Sequence, residues 1–168
     1  DLLIDNQHII SVFSGDDDGI SIDSTTIFLQ KNTLEGDLVW VRKFDLGDDF
    51  SNEIVEEVVA VADGYVLMGR NQSGPADLFF LKTDKEGHLV WAKKLDIADD
   101  NFVGLGRDQS QLLAFDNGLY FAAKTQDAAG QSDMVIGRMN LKGEIAAGCN
   151  FIQPLQVTEL TVGNPQNI

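Results

Sequence analysis

The sequence is poor in cysteine, proline and positive charge, and it contains no long apolar run. Its one cysteine, Cys149, excludes a disulfide within the chain. No apolar stretch approaches the ~20 residues that a membrane-spanning helix needs, so membrane insertion is not expected. The 12 basic and 27 acidic residues give a net charge of −15, which repels phosphate backbones. Disordered, collagen-like, transmembrane and nucleic-acid-binding proteins are therefore excluded.

The remaining composition is that of an ordinary globular domain. The chain has 168 residues, of which 43% are apolar and 23% are charged. The first residues, Asp1 to Asp5, contain no initiator methionine, no basic segment and no small-residue cleavage site. We therefore expect a chain that has been processed or excised from a longer polypeptide.

Three segments of the chain resemble one another, and each has the order apolar strand, turn, second strand. They are residues 27–40, 78–91 and 134–147. Their turn glycines are 51 and 56 residues apart: Gly36, Gly87 and Gly143. Each glycine can adopt the left-handed conformation that closes a bulged hairpin. Three polar side chains are expected to bond the backbone two residues on in these turns: Asn32, Asp84 and Asn140.

A second hairpin precedes each of these segments. Asp63-Gly64 and Asn117-Gly118 are strong two-residue turn signals between apolar runs, and Asp5-Asn6-Gln7 is a weaker one. Each repeat is thus predicted to contain four antiparallel strands. The repeats are predicted to span 1–53, 54–109 and 110–153, and 154–168 adds one further strand.

No segment has the periodicity and end signals of a helix. Residues 51–62 come closest, but they contain more β-branched residues than a helix prefers. Tandem four-stranded units of about 50 residues are typical of β-propeller blades. We therefore predict an all-β protein, a β-propeller segment of three four-stranded antiparallel blades.

Repeat 2 resembles the tandem propeller repeats of secreted and cell-surface bacterial proteins, especially those of Bacteroidetes type. The resemblance rests on Asp63-Gly64-Tyr65, the run from Asp77 to Asp84, Gly87 and Trp91. Repeat 1 matches less well because Thr26 replaces Asp77, and repeat 3 lacks the tryptophan. The resemblance implies an extracellular, cell-surface or periplasmic location, and it transfers no catalytic motif.

Three blades form an incomplete ring, since propellers commonly have roughly four to eight. An open arc exposes an apolar face at each end, and such patches mark interfaces. We expect the remainder of a longer polypeptide or another chain to complete the propeller. A second copy of this chain would make a six-bladed ring. The extra strand at 154–168 could begin a further blade, act as a closure strand or serve as a linker.

Two tryptophans occupy equivalent places in repeats 1 and 2. Trp40 and Trp91 could form a stacking surface for a quinone or a sugar, but their place in the fourth strand favours packing between blades. Repeat 3 has Ala147 there, followed at alternate positions by Cys149 and Phe151.

The acidic residues concentrate in loops that the topology places on one rim. Residues 1–53 carry 12 acids against 3 bases, whereas residues 110–168 carry 5 against 3. Clustered carboxylates suit Ca²⁺, and the candidate ligands are Asp16, Asp17 and Asp18. These aspartates do not fit the EF-hand pattern, and the interpretation as a solvated acidic turn that aids solubility is favoured over a cation site. The other candidate rim residues are Asp23, Asp48, Asp49, Asp99 and Asp100.

Three kinds of function remain open. The first choice is a noncatalytic binding or scaffold module whose acidic rim meets a protein, a glycan or a cation. The second is a fragment of a propeller-type enzyme, such as a glycosidase, lyase or quinoprotein, with its catalytic residues mostly outside this chain. The third is a structural subunit of a filament or multi-chain assembly. No catalytic residue and no cofactor other than the candidate Ca²⁺ is predicted.

Overall fold

The computed structural model describes residues 1–16, 25–47, 52–71, 78–95, 101–102, 111–126, 131–145 and 151–160. Within these residues the chain is all-β, as predicted, and every strand pairing is antiparallel. The described part contains no helix that could span a membrane.

The strands form three separate sheets. The first sheet has the order β1-β2-β3-β4-β14, and the middle sheet has the order β13-β8-β7-β6-β5. The third sheet has the order β10-β11-β12, with β9 also paired to β11. The strands of the first sheet are β1 (Leu2–Asp5), β2 (His8–Asp16), β3 (Thr25–Thr33), β4 (Leu38–Asp45) and β14 (Thr158–Leu160). Those of the middle sheet are β5 (Glu53–Val61), β6 (Gly64–Asn71), β7 (Leu78–Thr83), β8 (Leu89–Leu95) and β13 (Ile152–Pro154). Those of the third sheet are β9 (Asn101–Phe102), β10 (Gln111–Phe115), β11 (Gly118–Gln126) and β12 (Ser132–Asn140).

The same glycine turn occurs once in each sheet. Gly36, Gly87 and Gly143 have φ values of +98°, +83° and +73°, so all three are left-handed as predicted. Each glycine N–H donates to the carbonyl of the residue three positions earlier, at 3.0 to 3.2 Å.

The polar side chains of these turns follow the prediction in two cases. The Asp84 carboxylate accepts from the N–H of Glu86, and the Asn140 amide oxygen accepts from the N–H of Lys142. Each donor lies two residues further along the chain. The prediction for Asn32 is wrong, because Asn32 lies four residues before its glycine and instead donates to the Gly36 carbonyl. Thr33 occupies the equivalent position, and its hydroxyl accepts from the N–H of Asp37.

The two-residue hairpins lie one residue earlier than predicted. The turn between β5 and β6 is Ala62-Asp63, and Gly64 pairs with Val61 as the first strand residue. A side chain on Gly64 would overlap the carbonyl of Thr83, so close backbone approach, rather than a left-handed turn, requires glycine there. In the third sheet the turn is likewise Asp116-Asn117, which carries the positive φ values.

Two buried clusters fill the spaces between the sheets. One lies between the first and middle sheets, and the other lies between the middle and third sheets. Strand β5 packs against strands of the first sheet on one side and against β10 on the other. Strand β7 is buried along its whole length. The middle sheet is therefore the centre of the molecule.

Short strands near the end of the described chain return to the earlier sheets. Strand β13 pairs with β8 at one edge of the middle sheet, and β14 pairs with β4 at the corresponding edge of the first sheet. The Leu155 N–H also donates to the carbonyl of Ala92 at 3.1 Å. Residues 152–160 thus bridge the outer edges of two sheets.

Candidate interaction surface

The middle sheet is covered on both faces, and the alternation of side chains along its strands decides which neighbour each residue meets. Tyr65 and Leu67 pack against the first sheet, whereas Val66 and Met68 pack against the third sheet. We call the face that packs on the next sheet along the chain the leading face. The opposite face, which packs on the preceding sheet, is the receiving face.

Each of the two junctions joins a leading face to a receiving face. The first sheet contributes Ile10, Val12, Ile27, Leu29 and Phe44 to its junction with the middle sheet. The middle sheet contributes the equivalent strand positions to its junction with the third sheet: Val66, Met68, Leu78, Phe80 and Leu95. The same positions of the repeat therefore make the same contact twice.

A tryptophan lies on the glycine turn of the next sheet at both junctions. A Cβ atom placed on Gly87 would lie 2.8 Å from ring atoms of Trp40. One placed on Gly143 would lie 3.2 Å from ring atoms of Trp91. The Trp91 indole Nε1 also donates to the carbonyl of Leu141 at 3.1 Å. Both tryptophans thus lie between neighbouring sheets.

The first sheet has the receiving turn without a tryptophan on it. Around Gly36 no described atom lies within 4 Å of the position that a Cβ would occupy. This glycine turn has the same backbone bonds as the other two. Among the described residues, the first sheet therefore has the turn of a receiving face but no tryptophan packed on it.

The leading face of the third sheet is exposed. Ile136 occupies the strand position that Phe80 occupies in the middle sheet, and their exposed fractions are 74% and 0%. Met134 and Leu78 are equivalent in the same way, with 70% and 1% exposed. Residues that are core in one sheet are surface in the next. Leu113 and Phe115 of β10 are also exposed on this face.

The receiving face of the first sheet is exposed as well. Leu2 and Ile4 of β1 are more than half exposed. Phe13 and Phe28 stack there with ring centroids 5.0 Å apart and an interplanar angle of 9°. Together with the exposed face of the third sheet, these residues form two apolar end faces of the described array.

Polar contacts reinforce the junction between the first and middle sheets. The Asp5 carboxylate accepts from the Tyr65 hydroxyl at 3.0 Å and from the Lys85 ammonium at 2.7 Å. The Lys85 bond is the main cause that holds the pKa of Asp5 below its usual value. Burial, followed by the bond to Asp5, raises the pKa of Tyr65. This contact joins the hairpin turn of one sheet to a buried ring of the next.

Glu53 is a buried carboxyl that sequence reasoning missed. It is 2% exposed, and its Oε2 accepts from the Thr25 hydroxyl at 2.7 Å. Burial raises its pKa, and the Thr25 bond opposes that shift. Strand β5 reads Glu-Ile-Val-Glu-Glu-Val-Val-Ala-Val and holds two further acids, so the sequence does not single out Glu53 as the buried one. The Thr25 hydroxyl lies across the junction from it, so Glu53 also links two sheets.

Glu159 of strand β14 contacts one residue of its own sheet, Arg42 of β4, and one of the middle sheet, His88, which lies between β7 and β8. The Glu159 carboxylate lies 3.0 Å from His88 Nδ1 and 3.6 Å from Arg42 Nε. The His88 side chain is 56% exposed. Beside this tail lies a cleft of about 340 Å³, lined by residues that include Leu46, Lys94 and Pro154.

The acidic residues predicted as a site lie mostly outside the described residues. Asp16 ends strand β2, but its side chain lies outside them. So do all the other predicted cation and rim residues: Asp17, Asp18, Asp23, Asp48, Asp49, Asp99 and Asp100. Among the residues that the structure describes, no three His, Cys, Asp or Glu side chains form a group that could hold a metal ion.

Comparison with known proteins gives one partial match. A 74-residue segment, 44% of this chain, is 38% identical to regulatory protein FlaEY of Caulobacter vibrioides. That segment spans only 8% of the length of FlaEY. No family model and no solved structure matches the chain.

Proposed function

We propose that this chain is a noncatalytic binding and scaffold module, formed by three blades of an incomplete β-propeller. In this proposal each sheet is one blade, and the leading and receiving faces are the faces by which blades stack around an axis. Support comes from the two equivalent junctions, with their repeated tryptophan and glycine contacts. A sandwich of unrelated sheets has no reason to repeat such a contact.

The observation that carries the proposal is the difference between equivalent residues in the middle and end sheets. Phe80 is buried in a junction, and Ile136 at the same position is exposed. Exposed contiguous apolar surface of this kind is typical of protein interaction sites. The module is therefore proposed to act by joining further protein at its end faces.

Two parts of the proposal rest on the sequence alone. The acidic loop rim, as a contact surface for a protein, a glycan or a cation such as Ca²⁺, remains a prediction. The location outside the bacterial cytoplasm rests on the resemblance to secreted repeats. The third function considered, a structural subunit of an assembly, draws on the same exposed end faces.

The proposal is tested by sedimentation of the purified chain together with fluorescence of the apolar dye anilinonaphthalene sulfonate. We expect the folded chain to self-associate or to bind the dye, since the end faces are apolar. Ile136→Lys and Phe13→Lys are expected to reduce that response, one at each end face. Val90→Lys is the matched control, because Val90 is an exposed strand residue of the middle sheet.

A folded wild-type monomer that neither associates nor binds the dye would overturn the proposal. So would an equal effect of all three lysine substitutions, because the end faces would then have no special role.

A further inference from the structure

We infer that the two end faces bind each other between two copies of this chain, head to tail, so that two chains form one closed ring of six sheets. The inference rests on the proposed function and names the partner of its end faces. The leading face of the third sheet in one copy would pack on the receiving face of the first sheet in the other.

The two exposed faces are of opposite kind: that of the third sheet is a leading face, and that of the first sheet is a receiving face. The exposed face of the third sheet has the strand positions that form the leading side of both internal junctions, as Met134 and Ile136 show. The exposed face of the first sheet has the positions of a receiving side. Phe13 and Phe28 pair in the register in which Gly69 and Phe79 pair on the receiving face of the middle sheet. One chain thus supplies both halves of a junction.

The number of blades in a propeller limits how many copies of this chain could form a closed ring. Propellers close with roughly four to eight blades. The described residues of one chain form three sheets, so two copies bring together six described sheets and three copies bring together nine. Six described sheets fall within that range. A head-to-tail contact that closes after two copies gives a two-fold ring and leaves no apolar end exposed.

The junction between two copies would lack the tryptophan contact, and charge repulsion would oppose it. The Gly36 turn has no tryptophan on it within the described structure, so the new junction would lack a contact that both internal junctions have. Each copy also carries a net charge of −15, and the two copies repel. The pair is therefore expected to be reversible, and added salt should strengthen it by screening the repulsion.

The experiment measures the mass of the purified chain by light scattering and sedimentation over a range of protein and salt concentrations. We expect about twice the monomer mass of 18.4 kDa at high protein concentration. Ile136→Lys and Phe13→Lys are each expected to weaken association about tenfold or more, because a charge then enters a buried junction. Val90→Lys is expected to leave it unchanged.

Mixing the two variants gives the result specific to head-to-tail contact. Each variant alone has both junctions of the pair damaged. A mixture contains one undamaged junction, between the third sheet of Phe13→Lys and the first sheet of Ile136→Lys. We therefore expect a mixed pair, detected by native mass spectrometry of two variants that differ in mass, at concentrations where neither variant pairs with itself.

The outcomes that overturn the inference leave the proposed function distinguishable. A pair that is lost with Ile136→Lys but kept with Phe13→Lys would be joined by like faces, which overturns the head-to-tail arrangement and keeps the end faces as binding surfaces. A monomer that binds the apolar dye would overturn the second copy as occupant in favour of a different protein. Open polymers would overturn closure, and a pair that weakens with added salt would overturn its apolar basis.

Discussion

The middle sheet and the third sheet have similar strands but opposite surroundings. Strand β7 reads Leu-Phe-Phe-Leu-Lys-Thr and is buried throughout. The corresponding part of β12 reads Met-Val-Ile-Gly-Arg-Met, and its alternate residues, Met134 and Ile136, are exposed. Local sequence makes both segments strands, whereas the presence of a neighbouring sheet decides whether their apolar side chains are covered.

The largest expected difference in unfolding free energy is between alanine substitutions at the same strand position of the two sheets. Phe80→Ala should lower the free energy of unfolding by about 3 to 5 kcal/mol, because it leaves a cavity in a junction. Ile136→Ala, at the equivalent exposed position, should change it by no more than about 0.5 kcal/mol. Urea titrations at low protein concentration measure both values.

Similar losses for the two alanine variants would contradict the difference in burial. A loss for Ile136→Ala that grows with protein concentration would sharpen the comparison, because it would show that the end face becomes covered by another copy.

The second comparison uses the glycine turns. Gly36→Ala and Gly87→Ala both place a side chain at a left-handed residue, which costs roughly 1 to 2 kcal/mol of unfolding free energy. At Gly87 the new methyl group also meets Trp40 and Arg42, so we expect a further loss of about 1 to 3 kcal/mol. Thermal and urea unfolding of the two variants measure the difference.

The Gly36 variant is the matched control for backbone strain. Equal losses in both variants would show that the tryptophan does not press on the glycine turn. A loss for Gly36→Ala that appears only in the self-associated state would place another chain on that turn.

The smallest expected effect concerns the polar contact across the first junction. Asp5→Asn should cost about 1 to 3 kcal/mol at neutral pH, because the bonds from Lys85 and Tyr65 are weakened. The folded pKa of Asp5 lies below its ordinary value of 3.8. The stabilisation by this carboxylate is therefore complete above that pH and is lost as the pH falls through the folded value.

Unfolding free energies of wild type and Asp5→Asn from pH 7 to pH 2 measure this contribution. The gap between them should narrow below pH 3.8. Asp133→Asn, at an exposed position, is the control for the stability loss at neutral pH. A gap that does not depend on pH would show that the Asp5 charge does not contribute to the junction.

Much of the architecture could be predicted from the chain itself. The three left-handed turn glycines and a hairpin close to each predicted turn follow from local preferences, and the described structure contains both. Residues 52–62 contain a strand and no helix, as expected. The turn between β5 and β6 lies one residue earlier than predicted, and the reason is not local. Gly64 marks a close approach to Thr83, a residue 19 positions away, and a sequence pattern does not show that distance.

The candidate site was only partly predictable. The sequence indicated two apolar end faces, but the residues that form them depend on which side of each strand meets a neighbour. Glu53 and the contact between His88 and Glu159 were missed, since each contact joins residues of different sheets. The side chains of the predicted acidic rim lie outside the described residues.

The amino-acid sequence alone determined the repeated unit: apolar strands, left-handed glycine turns and the spacing that makes three similar sheets. Only the tertiary structure decided which apolar faces are covered and where the last strands pair, with β13 on the middle sheet and β14 on the first. The physical reason is the distance along the chain between the residues that interact. Turns and strands depend on residues a few positions apart, whereas burial and edge pairing depend on surfaces brought together from distant parts of the chain.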